Sequence, residues 1–415
     1  MTKEEKEARK LMDSVDEINP YSCYLDESTL SNVDNWIDTG SLALNAIISG
    51  SLYKGLPEGR LIQFAGPSQC GKSFFIQKII ANAQKMGKHV IVFDSENAIE
   101  PAAAKKFGID ITKVKYVKAL TLENTRNAIF NFLSKVAETK RLGEFVIIID
   151  SLANLESELA EKRMGKDSTS ADMGTFAKSV KALLKTCTNW SSVTKTTIVF
   201  TNHIYDDPSA MYPSFEKNIT GGKSPVYLPS VNVQMNKLAT KDDEGKTIDN
   251  TLATAQKSFS GVKLGCTTTK NRFVRPYLEV ELYVSFETGL DRYYGLLKLM
   301  RGTGVVVLDG HRYNDWEGNS LGFYKNWRTD ESVWEKLLPE LEIRLQKEWA
   351  FSSETPLEED YPDEEIVEKV SDNPLDALDA LKNLKNKVTK KLDKLEEEID
   401  YDEMGSIGLA GEDND

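Results

Sequence analysis

Arg60-Leu-Ile-Gln-Phe-Ala65, followed at once by Gly66-Pro-Ser-Gln-Cys-Gly-Lys72-Ser73, is the stretch that decides the fold. The first six residues are a short, mainly apolar run of buried-strand length. The next eight fit G-x-x-x-x-G-K-[ST], and residues 73–86 read as a helix. In a strand–glycine loop–helix unit, backbone N–H groups can turn inward onto phosphate oxygens, and the helix N-terminus adds partial positive charge. Gly66, Pro67, Ser68, Gln69, Cys70 and Gly71 are therefore expected to cradle the phosphates of ATP. Lys72 is expected to neutralise the β- and γ-phosphates and Ser73 to ligate Mg²⁺.

Outward from this unit the pattern stays βαβ. Apolar runs at 89–93, 116–117, 145–149, 196–200, 231–235, 262–266 and 277–284 read as strands, and 101–107, 122–136, 176–184 and 293–299 as helices. Continuous apolar strands separated by helices imply an α/β fold with a mostly parallel sheet covered on both faces. Two acids stand at strand ends, where such sheets bind ligands. Asp150 closes the 145–149 run and is the expected second Mg²⁺ ligand, although an acid there can also simply terminate a strand. Asp94-Ser95-Glu96 ends the strand after the phosphate-loop helix, and Glu96 is the candidate base that activates water, against a plain capping role.

The net charge of −13 argues at first against a nucleic-acid binder. Its distribution reverses that. Residues 354–415 hold 21 acidic residues against seven lysines and no arginine, a net −14, which leaves +1 for residues 1–353. Cys23, Cys70, Cys187 and Cys266 are scattered without a CxxC pair, which fits reduced thiols in the cytoplasm. No apolar run approaches the ~20 residues of a membrane span, so no membrane partner is expected. Residues 1–20 read as a charged helix. The aromatic Tyr21-Ser-Cys-Tyr-Leu25 either packs on its own domain or tethers a neighbour. Leu375, Leu378, Leu381, Leu384, Val388, Leu392, Leu395 and Ile399 recur at helical spacing, giving an amphipathic helix over 374–399 that packs on the body or docks on a partner.

Many P-loop chains share these features; the flanks narrow the field. Ile37-Asp-Thr-Gly-Ser-Leu-Ala-Leu44, Gly55-Leu-Pro-Glu-Gly-Arg60, the loop itself, Phe93-Asp-Ser-Glu96 and Ile149-Asp-Ser-Leu152 together resemble the RecA recombinase core over roughly residues 36–300. The length, the charged tail and Thr201-Asn-His203 are more similar to the phage UvsX branch. The resemblance implies a RecA-like ATPase core at 36–286, an N-terminal polymerisation segment at 1–35, a small C-terminal domain at 287–353 and an acidic tail at 354–415. It also implies a DNA-dependent ATPase that forms a helical filament on single-stranded DNA, pairs it with homologous duplex DNA, and works in the cytoplasm of a phage-infected host.

The resemblance assigns further roles. Met164, Gly165 and Lys166 stand where the first DNA-binding loop lies. Residues 205–223, a long structureless stretch, resemble the second loop. There Met211, Tyr212 and Phe215 would wedge between or stack on bases, and Lys217, Gly221, Gly222 and Lys223 would meet phosphates. His203 would sense the γ-phosphate. Lys270 and Arg272 would reach the neighbour's γ-phosphate across the filament interface. Glu100 matches an acidic position near the adenine, whereas Ala103 replaces a stacking tyrosine and leaves base selectivity open. The acidic tail would compete with DNA, recruit a single-strand-binding or mediator protein, or only aid solubility. A ring-forming helicase motor and a non-filamenting recombinase paralogue are the rival readings.

Overall fold

The computed structural model describes residues 2–19, 21–24, 32–163, 173–205, 218–238, 261–285 and 287–349, without the side chains of Glu4 and Met173. The elements, in chain order, are α1 (Lys3–Asp13), β1 (Trp36–Ile37), α2 (Leu42–Ser49), β2 (Leu56–Pro57), β3 (Leu61–Ala65), α3 (Lys72–Lys85), β4 (His89–Asp94), α4 (Pro101–Lys106) and β5 (Val114–Lys118). Then come α5 (Leu122–Glu138), β6 (Phe145–Asp150), α6 (Glu158–Arg163), α7 (Met173–Thr194), β7 (Thr197–Asn202), β8 (Ile204–Tyr205), β9 (Asn218–Ile219), α8 (Ser224–Tyr227) and β10 (Val231–Lys237). The last are β11 (Gly261–Asn271), β12 (Glu279–Ser285), β13 (Gly289–Leu290), α9 (Leu296–Gly302), β14 (Val306–Asp309), β15 (Arg312–Asp315), β16 (Ser320–Gly322), α10 (Tyr324–Trp327) and α11 (Glu331–Trp349).

Nine strands make the main sheet in the order β13-β12-β11-β10-β3-β7-β6-β4-β5. From β10 to β5 every neighbouring pair is parallel, and β11, β12 and β13 add an antiparallel edge. This is the α/β sheet the apolar runs require. The central parallel strands β3, β6 and β7 are almost wholly buried, so their sequences show no alternation, whereas β5 at the sheet edge is largely exposed. All five residues of β3 are buried. One hydrophobic cluster joins α2 and α3 to the antiparallel edge and continues without a break into Leu296, Trp327, Trp334 and Leu341. A second lies under α5 and α7. Residues 287–349, which carry the three-stranded sheet β14-β15-β16, thus share the core of residues 36–286.

Several boundaries differ from the sequence reading. The helix expected at 293–299 begins later, because the Asp291 carboxylate accepts from the backbone N–H of Tyr293 and Tyr294 and holds them in a turn. The helix expected at 176–184 runs over Met173–Thr194, and the strand expected at 262–266 over Gly261–Asn271. Helix α2 carries no amphipathic signal, since Leu42, Ala43, Leu44, Ala46, Ile47 and Ile48 are all buried. Its start is set by Ser41, whose hydroxyl accepts from the Leu44 N–H, a cap worth about 1 kcal/mol. The stretch 205–223 is not structureless at its ends: β8 and β9 pair as antiparallel legs. The expected helix at 374–399 and the acidic tail lie outside the described residues.

Candidate nucleotide site

The loop between β3 and α3 is shaped by steric need. A Cβ on Gly66 would meet the Cys70 Sγ at 2.5 Å and the Met235 carbonyl oxygen at 2.7 Å. Gly71 caps α3 at φ +82°, a conformation that costs a side chain dearly. Lys72 Nζ donates to the carbonyls of Gly66 at 2.9 Å and Pro67 at 2.8 Å, so its charge sits inside the loop.

The polar tips of β4, β6 and β7 meet beside this loop. Asp94 and Asp150 are register partners on adjacent strands. Asp94 is fully buried, and its carboxylate accepts from the backbone N–H groups of Glu96 at 2.8 Å and Asn97 at 2.7 Å. That turn presents Glu96. Ser151 Oγ donates to Glu96 Oε1 at 2.6 Å, and His203 Nε2 lies 3.4 Å from the same oxygen. Asp150 is 1% exposed; Thr201 Oγ1 donates to its Oδ1 at 2.5 Å, while Oδ2 is buried with no hydrogen-bond partner. Burial pushes the Asp150 carboxyl above the usual carboxylate range. The Thr201 hydrogen bond opposes this, the charges of Glu96 and Asp94 add to it, and the Ser73 hydroxyl opposes it again.

A buried, orphaned carboxylate oxygen facing a serine hydroxyl is the donor chemistry of a Mg²⁺ site completed by phosphate oxygens and water. Among the described residues no cluster of three or more His, Cys, Asp or Glu could hold a metal by itself. Asp150→Asn keeps an acceptor for Thr201 and deletes the charge. It is expected to raise the thermal stability of the nucleotide-free protein, by on the order of 1 kcal/mol. The further stabilisation that Mg²⁺ adds in the presence of ATP should vanish. Melting curves with and without Mg²⁺ read both effects, and an undiminished Mg²⁺ response would remove Asp150 from the metal site.

Beside the loop opens a cavity of about 530 Å³ lined by Gln69, Gly71, Phe74, Phe107, Leu264 and Thr288, among others. Neither Glu100 nor Ala103 is among its lining residues; Glu100 is the exposed residue before α4. Phe107, just past that helix, lines the cavity and meets Phe74 edge-on at 5.0 Å between ring centroids.

The structure therefore gathers Gly66, Pro67, Ser68, Gln69, Cys70, Gly71, Lys72, Ser73, Glu96, Asp150 and His203 at one sheet edge. Asp94, Ser151 and Thr201 were not read as functional, although each is a polar residue at the end of an apolar strand. Lys270 and Arg272 are not gathered there. Lys270 is the register partner of Asn232, which pairs with Gln63. Gln63 lies three residues before Gly66, so Lys270 is about 10 Å back along the sheet and about 10 Å across it. Burial, with the Arg272 charge second, lowers the Lys270 amine to about 8. Burial and Arg272 also lower Arg60, so three cations form one patch. Gly221, Gly222 and Lys223 follow β9 and lead into α8. Met164, Gly165, Lys166, Met211, Tyr212, Phe215 and Lys217 lie outside the described residues.

Fold and loop define a P-loop ATPase core with buried carboxylates at the tips of neighbouring strands beside the phosphate loop. Residues 23–291 match the RecA N-terminal domain family, and the chain belongs to the RecA family of recombinases. It is 29% identical over 289 residues to Protein RecA of Streptomyces rimosus, covering 69% of each chain. To Protein RecA of Chlorobium chlorochromatii it is 29% identical over 314 residues, covering 75% of this chain and 79% of the relative. Among the described residues no helix is long and apolar enough to cross a membrane.

Proposed function

We propose that this chain is an ATP-dependent recombinase that polymerises on single-stranded DNA and pairs it with homologous duplex. Each ATP site is completed by Lys270 and Arg272 of the next subunit. The observation that carries the reading is the placement of those two cations about 10 Å back along the sheet and about 10 Å across it from the chain's own phosphate loop. In this reading Gly66–Ser73 holds the phosphates, and the Phe74 and Phe107 cavity takes the base. Glu96, aimed by Asp94 and Ser151, orients the attacking water, and His203 connects that carboxylate to the DNA loop. Ser73 and Asp150 would hold Mg²⁺, which would neutralise phosphate charge. The segments around Met164–Lys166 and Met211–Lys223 contact DNA, chiefly its backbone and base faces. The acidic tail, with its 374–399 stripe, serves a single-strand-binding or mediator partner. The Thr201-Asn-His203 pattern favours the UvsX branch and a phage-encoded protein acting in the host cytoplasm.

The full chain, mixed with single-stranded DNA and a slowly hydrolysed ATP analogue, should form regular helical filaments in negative-stain microscopy and exchange strands with a homologous duplex. Rings, or processive unwinding of a tailed duplex without exchange, would overturn the reading. Lys72→Ala should remove ATP-dependent filaments and turnover together, since it deletes the charge inside the loop.

A further inference from the structure

Thr201 is a hydroxyl in a place that packing alone would give to an apolar side chain. It is fully buried near the end of β7, beside Phe200 and Ile149, which are fully buried too. On one side it is the register partner of Phe64 on β3. On the other, the pairing of Phe200 with Ile149 puts it next to Asp150 at the tip of β6. A buried hydroxyl is costly unless it is bonded. Thr201 Oγ1 donates to Asp150 Oδ1 at 2.5 Å. The branched side chain is stiff about its first bond, so the strand itself fixes the direction of that donor.

The two carboxylate oxygens of Asp150 are thereby made unequal. Oδ1 is held by Thr201, whereas Oδ2 is buried with no hydrogen-bond partner. A carboxyl that turned would exchange the two oxygens and break the Thr201 bond. The other end of the link is the phosphate loop. Asn202, the residue after Thr201, is the register partner of Ala65, and its carbonyl accepts from the Gly66 N–H at 3.1 Å. The tip of β7 thus ties Asp150 to the strand and loop that lead to Ser73, the other residue assigned to the metal.

We propose that Thr201 is a positioning residue for the metal: it holds Asp150 so that Oδ2 is the oxygen offered to Mg²⁺ beside Ser73. The inference rests on the proposed function in one respect, that Asp150 and Ser73 hold the metal. In this role Thr201 acts through Asp150 and not on the nucleotide. Groups that orient a metal ligand in this way are worth about 10–100-fold in metal affinity. Loss of the Thr201 donor should therefore weaken metal binding and spare metal-free nucleotide binding, which Gly66–Lys72 governs. A hydroxyl that served only the fold would instead lower both together.

The test is the affinity of the full chain for Mn²⁺, read from the free-ion EPR signal in the presence of a slowly hydrolysed ATP analogue. Beside it stands the affinity for a fluorescent form of that analogue in EDTA. Thr201→Val keeps the branched shape and deletes the donor. It should weaken Mn²⁺ binding by about 10–100-fold and leave analogue binding in EDTA within about twofold of the wild type. Thr201→Ser keeps the donor and should bind Mn²⁺ within about threefold of the wild type. Thr201→Cys, whose thiol is a weak donor, should fall between the two, and it decides the matter if the valine chain does not fold. Wild-type Mn²⁺ affinity in the donor-deleted chain would overturn the proposal. So would an equal loss of Mn²⁺ and EDTA binding that serine does not restore. Asp150→Asn separates this inference from the reading beneath it. If that variant keeps wild-type Mn²⁺ affinity, the metal assignment in the proposed function falls; if it loses the affinity while Thr201→Val keeps it, only the role of Thr201 falls.

Discussion

Lys270→Ala is expected to lower DNA-stimulated ATP turnover by about 10³-fold or more, the scale on which a cation supplied in trans acts on a transferring phosphoryl group. ATP binding to the isolated subunit should be unaffected, because Lys270 lies two strands and several residues from its own phosphate loop. Nucleotide titration of the monomer, set beside steady-state turnover on DNA, separates these effects. A loss of monomer affinity would place Lys270 in its own site and contradict the account. The same residue fixes a pH dependence. In the lone subunit burial and the Arg272 charge bring the amine to about 8. A neighbour's phosphate stabilises the ammonium and raises that value again. Assembly then takes up a proton above pH 8, so ATP-dependent filaments should weaken as pH rises through this range. They should be insensitive to Lys270 below it, where the amine is already charged. Light scattering across pH 7–9.5 reads the slope, and Lys270→Arg should flatten it.

Glu96→Gln should lower turnover by about 10²–10⁴-fold while leaving ATP binding and filament formation intact. The amide keeps an oxygen for Ser151 Oγ, which now donates to Glu96 Oε1 at 2.6 Å, so the turn built on Asp94 should persist. What is lost is the charge that orients and deprotonates water. Filaments made with ATP should therefore resemble those made with a slowly hydrolysed analogue and release DNA slowly. A variant that turned over at the wild-type rate would transfer the role of base elsewhere. One that no longer bound ATP would make Glu96 structural.

The P-loop unit was legible in the sequence because strand, loop and helix are contiguous and each carries its own local signal. Asp150 and Glu96 were legible for a related reason: an acid that ends an apolar run stands at the ligand-binding edge of a parallel sheet. Other features were not local. Helix α2 is buried all round and has no periodicity to reveal it. The Asp291 turn that delays α9 depends on two backbone donors rather than on helix propensity. The side of the sheet occupied by Lys270 follows from the antiparallel register of β10 and β11, which motif spacing does not encode. Its bond to the Tyr227 carbonyl involves a main-chain atom that any residue would supply, and so leaves no trace in composition. Phe107 is an intermediate case. Ala103 stands where the family resemblance would put a stacking tyrosine, and Phe107, just beyond the same short helix, lines the cavity beside the phosphate loop.

The central claim, that one ATP site is built from two subunits, is tested most directly by mixing two inactive variants. A Lys270→Ala subunit retains Glu96, and a Glu96→Gln subunit retains Lys270. When the first presents its nucleotide to the second, the site between them is complete. In a 1:1 mixture with random placement about one interface in four has that arrangement, so the mixture should recover about a quarter of wild-type, DNA-stimulated turnover. A mixture as inactive as either parent would contradict a site shared between neighbours.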